Sequence, residues 1–142
     1  MKRSLLSDCT IIELTKVHFK AGNMSIADGI KELPFRVSRA FWIYDIPAGE
    51  SRGAHAHREC HQFIIAGSGS FEVEADDGRE KKTFYLNRPF YGLHIPPGIW
   101  AHELNFSAGA ICIVLTSHPY DEAEYIKSYD EYLRFNHSDG HR

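Results

Sequence analysis

What the chain lacks narrows its class before any motif is considered. It has three cysteines, Cys9, Cys60 and Cys112, an odd number with no CxxC pair. That argues against a disulfide framework and for a reducing compartment. It has no large excess of one charge: the formal net charge is −3 with nine histidines taken as neutral. A nucleic-acid phosphate backbone requires a strongly basic face, so no nucleic-acid partner is expected. A small phosphorylated ligand, which needs only one or two local arginines, stays compatible. No apolar run approaches membrane-spanning length and no secretory signal opens the chain, so no membrane partner and a cytoplasmic location are expected. What remains is a chain of 142 residues, 43% apolar and 25% charged, enough for one domain over residues 1–142 with its own core.

The patterning is that of short strands. TIIELTKVHF (residues 10–19) reads as a first strand, and Met24 to Ala27 as a short partner after the Gly22-Asn23 turn. SRAFWIYDI (38–46) is dense in aromatic and β-branched residues. Alternation puts Arg39, Phe41, Ile43 and Asp45 on one face and Ala40, Trp42, Tyr44 and Ile46 on the other. FEVEAD and KKTFYL flank Asp77-Gly78, a strong hairpin signal. LHIPPGIW, residues 100–106 and AICIVLT (110–116) continue the series. Strands at such spacing without intervening helices predict an antiparallel sandwich or barrel over about residues 10–117. The period then changes. Asp121 and Glu124 form a capping-box pattern, and Tyr125, Tyr129, Tyr132 and Leu133 recur at helical spacing. A C-terminal helix over about 121–134 is expected to lay this stripe across the outside of the barrel, with a frayed tail over 136–142.

One stretch departs from an ordinary β protein. GESRGAHAHRECHQFIIAG (49–67) places His55, His57 and His61 within seven residues, with Arg52 just before them. In an extended strand His55, His57, Glu59 and His61 share a face. Such a row is costly to bury unless water, a metal or a substrate meets it. Three readings are open: a divalent-metal site completed by a carboxylate and a histidine such as His102, a metal-free pair of imidazole acid–base groups, or histidines without chemistry.

The spacing resembles the small-barrel cupins, whose first motif is G-x5-H-x-H followed by a metal-binding glutamate. Gly49, His55 and His57 match its opening, but His61 or Gln62 stands where the glutamate belongs; PPGIWAH (96–102) roughly matches the second motif. The lost carboxylate favours metal-free acid–base chemistry. A longer set of residues is more specific. Pro34, Phe35 and Arg39, the strand ending Tyr44-Asp45, Glu50 to His57, Asp76 to Gly78, Gly92 to Trp100, Asn105 to Ser107, and above all YDE-x-x-YI-x-x-YDE (Tyr120 to Glu131) occur in this order. Together they resemble the sugar-nucleotide 3,4-ketoisomerases, the WxcM-like cupins that act on dTDP-4-keto-6-deoxyglucose.

The resemblance implies an all-β cupin, or jelly-roll, small barrel with a C-terminal α-helix, assembled as a homodimer. It implies an isomerase that moves a ketone from C4 to C3 of a dTDP-linked 4-keto-6-deoxyhexose, without metal or redox cofactor. The 3-keto product would feed an aminotransferase supplying amino sugars for surface polysaccharide. His55 and His57 match the two active-site histidines, His57 as carbon base and His55 as shuttle between oxygens. Arg39 and Arg52 match positions suited to the diphosphate charge. Trp42, Tyr44, His61, His94, Trp100 and His102 complete the expected substrate-binding set. Several of these depart from the family pattern: tyrosine is usual at Trp42 and expected at His94, glutamate at His61, and the Trp-His-Glu order is shifted at Trp100, His102 and Glu103. A metal-dependent cupin enzyme such as a dioxygenase, and a non-catalytic nucleotide-sugar binding module, are the competing expectations.

Overall fold

The computed structural model describes the backbone of residues 1–139 and the side chains of residues 1–136. Its strands are β1 (Thr10–Glu13), β2 (Thr15–Phe19), β3 (Gly22–Ile26), β4 (Arg39–Ile43), β5 (Arg52–His57), β6 (Gln62–Ser68) and β7 (Phe71–Asp76). β8 (Lys81–Leu86), β9 (Tyr91–Ile95), β10 (Trp100–Leu104), β11 (Ile111–Thr116) and the two-residue β12 (Tyr125–Ile126) follow, then the helix α1 (Tyr129–Asp139). Two five-stranded antiparallel sheets result, ordered β1-β9-β6-β11-β4 and β12-β5-β10-β7-β8. Among the described residues β2 and β3 pair only with each other.

Alternation along each strand decides what fills the barrel. Ile64 and Ala66 of β6, Leu93 and Ile95 of β9, Cys112 and Val114 of β11, and Val73 and Ala75 of β7 belong to one buried cluster. The intervening residues Phe63 and Ile65 pack on the reverse face with Leu14, Leu33 and Phe35. The segment between β3 and β4 is therefore a cover for that outer face.

Three expectations about element limits change. The strand expected over 10–19 divides at Leu14, which is buried in the outer cluster; β1 joins β9 while β2 leaves for its own hairpin. The strand expected to reach residue 46 stops at Ile43, before Asp45 takes a left-handed backbone with φ of 57°. The helix starts at Tyr129 rather than near 121 and runs through Asp139. Asp121 caps a 3-10 turn over Glu122–Glu124 by accepting from the Ala123 N–H at 3.0 Å. The frayed tail expected from Asn136 is helical to Asp139; residues 140–142 lie outside the described residues.

The tyrosine stripe is a packing face, as its spacing suggests. Tyr132 and Ile126 are fully buried against Ala56 and Trp100, with Tyr129, Leu133 and Phe135 around them. Polar groups on the same face grip the Asp76–Gly78 turn. Tyr129 donates to the Asp76 carboxylate at 2.7 Å, and Tyr132 donates to the carbonyls of Gly98 at 2.7 Å and Asp76 at 3.1 Å. Asn136 donates to the Asp77 carbonyl at 2.6 Å. Gly78 has φ of +92°, and a Cβ there would lie 1.8 Å from the Asn136 amide nitrogen. Only glycine fits beneath that side chain.

Tyr132→Phe keeps the ring but leaves two buried carbonyls without their donor. It should lower unfolding stability by about 1–3 kcal/mol, read as a shift in the urea midpoint at constant slope. An unchanged midpoint would show that the hydroxyl is not part of the clamp.

Candidate active site

β5 carries Ala56 outward, under α1, and so turns His55 and His57 into the barrel. Their Nε2 atoms are 3.2 Å apart and their rings meet edge-on at 83°. At that distance one nitrogen donates and the other accepts, so the pair shares one proton. Both rings are held neutral. Burial pushes His55 down to about 4, helped by Lys127, and pushes His57 down to about 3, helped by the charges of His55, Arg39 and His118. The Nδ1 atom of His57 is buried and has no hydrogen-bond partner among the described residues. No carboxylate or carbonyl therefore backs that ring to raise its basicity.

The wall beside the pair comes from a segment far along the chain. β12 pairs with β5 so that Tyr125 lies opposite His57 and Ile126 opposite Ala56. With Ile126 buried under the helix, Tyr125 faces inward; its ring centroid lies 4.5 Å from that of His57 and 4.9 Å from that of His55. Arg39 on β4 enters from the other sheet. It donates through Nη2 to the Tyr125 oxygen and through Nε to Thr116 Oγ1, both at 3.3 Å. Arg39, Phe41, Tyr120, Tyr125 and Lys127 line a cavity of about 340 Å³. Two cations, two phenols and a phenyl ring around it suit a flat aromatic group bearing negative charge.

The remaining expected residues are dispersed. The histidine row is cut because the strand ends at His57: residues 58–61 turn, with the Glu124 carboxylate accepting the Glu59 and Cys60 N–H groups and the Glu124 carbonyl accepting the Arg58 N–H. β5 and β6 thereby enter different sheets. Glu59 is exposed, and His61 stands on the outer face with Phe35. There His61 and His94 form a second pair, Nδ1 to Nε2 2.9 Å, with near-parallel rings 5.2 Å between centroids. Rings joined nitrogen to nitrogen at that separation lie edge to edge in one plane. Burial lowers both pKa values, that of His94 to about 4. Trp42 and Tyr44 lie on or just beyond β4 and are 61% exposed. Trp100 packs under α1, and His102 shares its outward face on β10. Arg52, at the far end of β5, faces Glu103 across the strand pair. Glu103, which sequence reasoning passed over, is buried beside Gly53, and burial pushes its carboxyl up to about 7, an effect that Arg52 partly offsets.

Thus the structure joins His55, His57 and Arg39, and adds Tyr120, Tyr125, Lys127, Phe41 and Thr116. The signal for Tyr120 and Tyr125 was present in the YDE-x-x-YI motif, but helical spacing assigned Tyr125 to the wrong element. Among the described residues no three His, Cys, Asp or Glu side chains converge as a metal centre requires. No helix among them is long and apolar enough to cross a membrane.

Comparison with known proteins identifies the family of the chain. The family model described as "FdtA: WxcM-like, C-terminal" matches residues 7–137. This chain belongs to that family. The FdtA/WxcM-like relatives are isomerases. The curated TDP-4-oxo-6-deoxy-alpha-D-glucose-3,4-oxoisomerase of Aneurinibacillus thermoaerophilus is 32% identical over 125 residues, 88% of this chain and 90% of that protein. The solved 3,4-ketoisomerase of Helicobacter canadensis is 41% identical with a TM-score of 0.89, covering 92% of this chain and 98% of its own. QdtA, a sugar 3,4-ketoisomerase of Thermoanaerobacterium thermosaccharolyticum solved in complex with TDP, is 30% identical with a TM-score of 0.91, covering 95% and 98%. The cupin-like barrel with a C-terminal helix expected for the FdtA/WxcM-like family is the fold observed.

The depressed imidazole pKa values tie stability to pH with a definite sign. In the unfolded chain each imidazole titrates near 6.5, while folded His55 and His57 titrate near 4 and near 3. Between those values the unfolded state binds more protons, so their contribution is fully present above about pH 6.5 and is lost as pH falls. Wild-type protein should therefore lose more stability than His57→Asn between pH 6.5 and 4 in urea titrations. Parallel losses would show that His57 is not held neutral by the fold.

Proposed function

We propose that this protein is a 3,4-ketoisomerase of a TDP-linked 4-keto-6-deoxyhexose, working by imidazole acid–base chemistry. The observation that carries this reading is the buried, uncharged His55–His57 pair on the inner face, beside a cavity whose lining holds Arg39 and Lys127. The family's named activities supply the substrate class. A ketone at C4 acidifies the hydrogen on C3. His57, the more buried ring, takes that proton as the C3–H bond breaks and an enediolate forms across C3 and C4. His55 carries the hydroxyl proton from the C3 oxygen to the C4 oxygen. His57 then returns a proton to C4, leaving a ketone at C3 and a hydroxyl at C4. No oxidant or reductant is consumed. Negative charge on the enediolate stabilises the imidazolium that forms beside it, which offsets the low basicity of the resting ring. Lys127 in the cavity lining offers a cation to the diphosphate, and the Tyr120 and Phe41 rings offer faces for the base.

The same reading includes a homodimer and a cytoplasmic location. The dimer is supported by the edge of β4, unpaired among the described residues and next to exposed Trp42 and Tyr44, and by the detached β2–β3 hairpin with exposed Phe19 and Met24.

Incubation with TDP-4-keto-6-deoxyglucose in D₂O, followed by NMR of the sugar, should show deuterium entering C3 of the substrate and C4 of the product. His57→Asn should abolish that uptake while TDP affinity stays within several-fold of wild type. Unchanged exchange in the variant would remove His57 from the base role. Activity should survive exhaustive chelation; its loss would favour the metal-dependent reading. Tight TDP binding without any exchange would leave a binding module.

A further inference from the structure

Tyr125 is held where a participant in the reaction would be, although neither the paired histidines nor the helical motif calls for it there. Three observations bear on it. Its backbone is in register with His57 on the neighbouring strand, so its ring covers both imidazoles at centroid separations of 4.5 and 4.9 Å, inclined at 54° and 56°. Its oxygen accepts a hydrogen bond from Arg39 Nη2 at 3.3 Å. Guanidinium has donors only, so in this bond the phenol must accept, and its own hydrogen stays available. Among the described residues that hydrogen reaches no acceptor, while the side chain lines the cavity.

Resting on the ketoisomerase reading above, we propose that Tyr125 is a further catalytic residue: its hydroxyl, backed by the Arg39 guanidinium, donates a hydrogen bond to the substrate oxygen on which charge gathers as the carbon proton leaves. A cation on the acceptor side of a hydroxyl polarises it and strengthens the bond it donates. A donor fixed before the reaction and aimed at developing oxyanion charge acts chiefly on the transition state. Arg39 is fixed in turn by Thr116 Oγ1, a fully buried group, so the hydroxyl is oriented through a chain anchored in the core. The Tyr125 ring has a second consequence. It excludes water from both imidazoles, whose other charged neighbours are Arg39, Lys127 and His118.

The test compares wild type, Tyr125→Phe and Tyr125→Leu with TDP-4-keto-6-deoxyglucose in D₂O, measuring initial rates against substrate concentration and pH. Tyr125→Phe keeps the ring and should fold normally. Its kcat should fall on the order of 10- to 100-fold with KM within about threefold, the pattern of an interaction made in the transition state. Tyr125→Leu should fall further and move the acidic limb of its kcat/KM profile to higher pH, because both rings regain water. Wild-type kcat in Tyr125→Phe, or a raised KM with unchanged kcat, would overturn this role while leaving the ketoisomerase reading intact. Absence of deuterium uptake in wild type would instead overturn the ketoisomerase reading, and this inference with it.

Discussion

Two ring nitrogens 3.2 Å apart can coexist only when one lends a hydrogen to the lone pair of the other. Two imidazolium ions at that distance in a buried setting would repel strongly. The His55–His57 contact therefore requires at least one neutral ring, and burial is what holds both of them neutral. The rest of the architecture near the site serves that requirement. β5 delivers both rings to the inner face, β12 lays Tyr125 over them, and α1 seals the reverse side of the same two strands through Ala56, Ile126 and Tyr132. The proposed chemistry is proton exchange between groups that carry no net charge at rest.

The C-terminal segment has two tasks that one motif encodes. Tyr125 faces the cavity, while Tyr129, Tyr132 and Asn136 close on the Asp76–Gly78 turn. The Glu124 carboxylate adds a third link, to the turn that ends β5. Pocket wall, helix anchor and strand terminator are thus fixed by residues within thirteen positions of one another, and a disturbance in any of them reaches the imidazole pair through short paths.

Much of this was legible in the sequence. Period-two alternation separated the two faces of β4, and Asp77-Gly78 marked the hairpin. The histidine and C-terminal motifs pointed to the family that the match over residues 7–137 establishes. The break after His57 was not legible, because the carboxylate that holds that turn comes from Glu124, 65 positions away. Alternation therefore carried His61 one step too far along an imagined strand. Tyr125 was assigned to a helix because a tyrosine four residues before another fits helical spacing as well as it fits a short strand followed by a helix. Glu103 was missed because its neighbours Arg52 and Gly53 meet it only across a bulged strand pair.

The placement of Tyr125 also orders events in time. A chain leaving the ribosome N-terminus first can pair all but one strand of the two large sheets once residue 116 has emerged, yet the two imidazoles would still be open to water on one side. Only when the segment around residue 125 is available can that side be roofed. Closure over the imidazole pair should thus lag behind assembly of the barrel, and a nascent chain would pass through a stage that is largely folded but still open at that point.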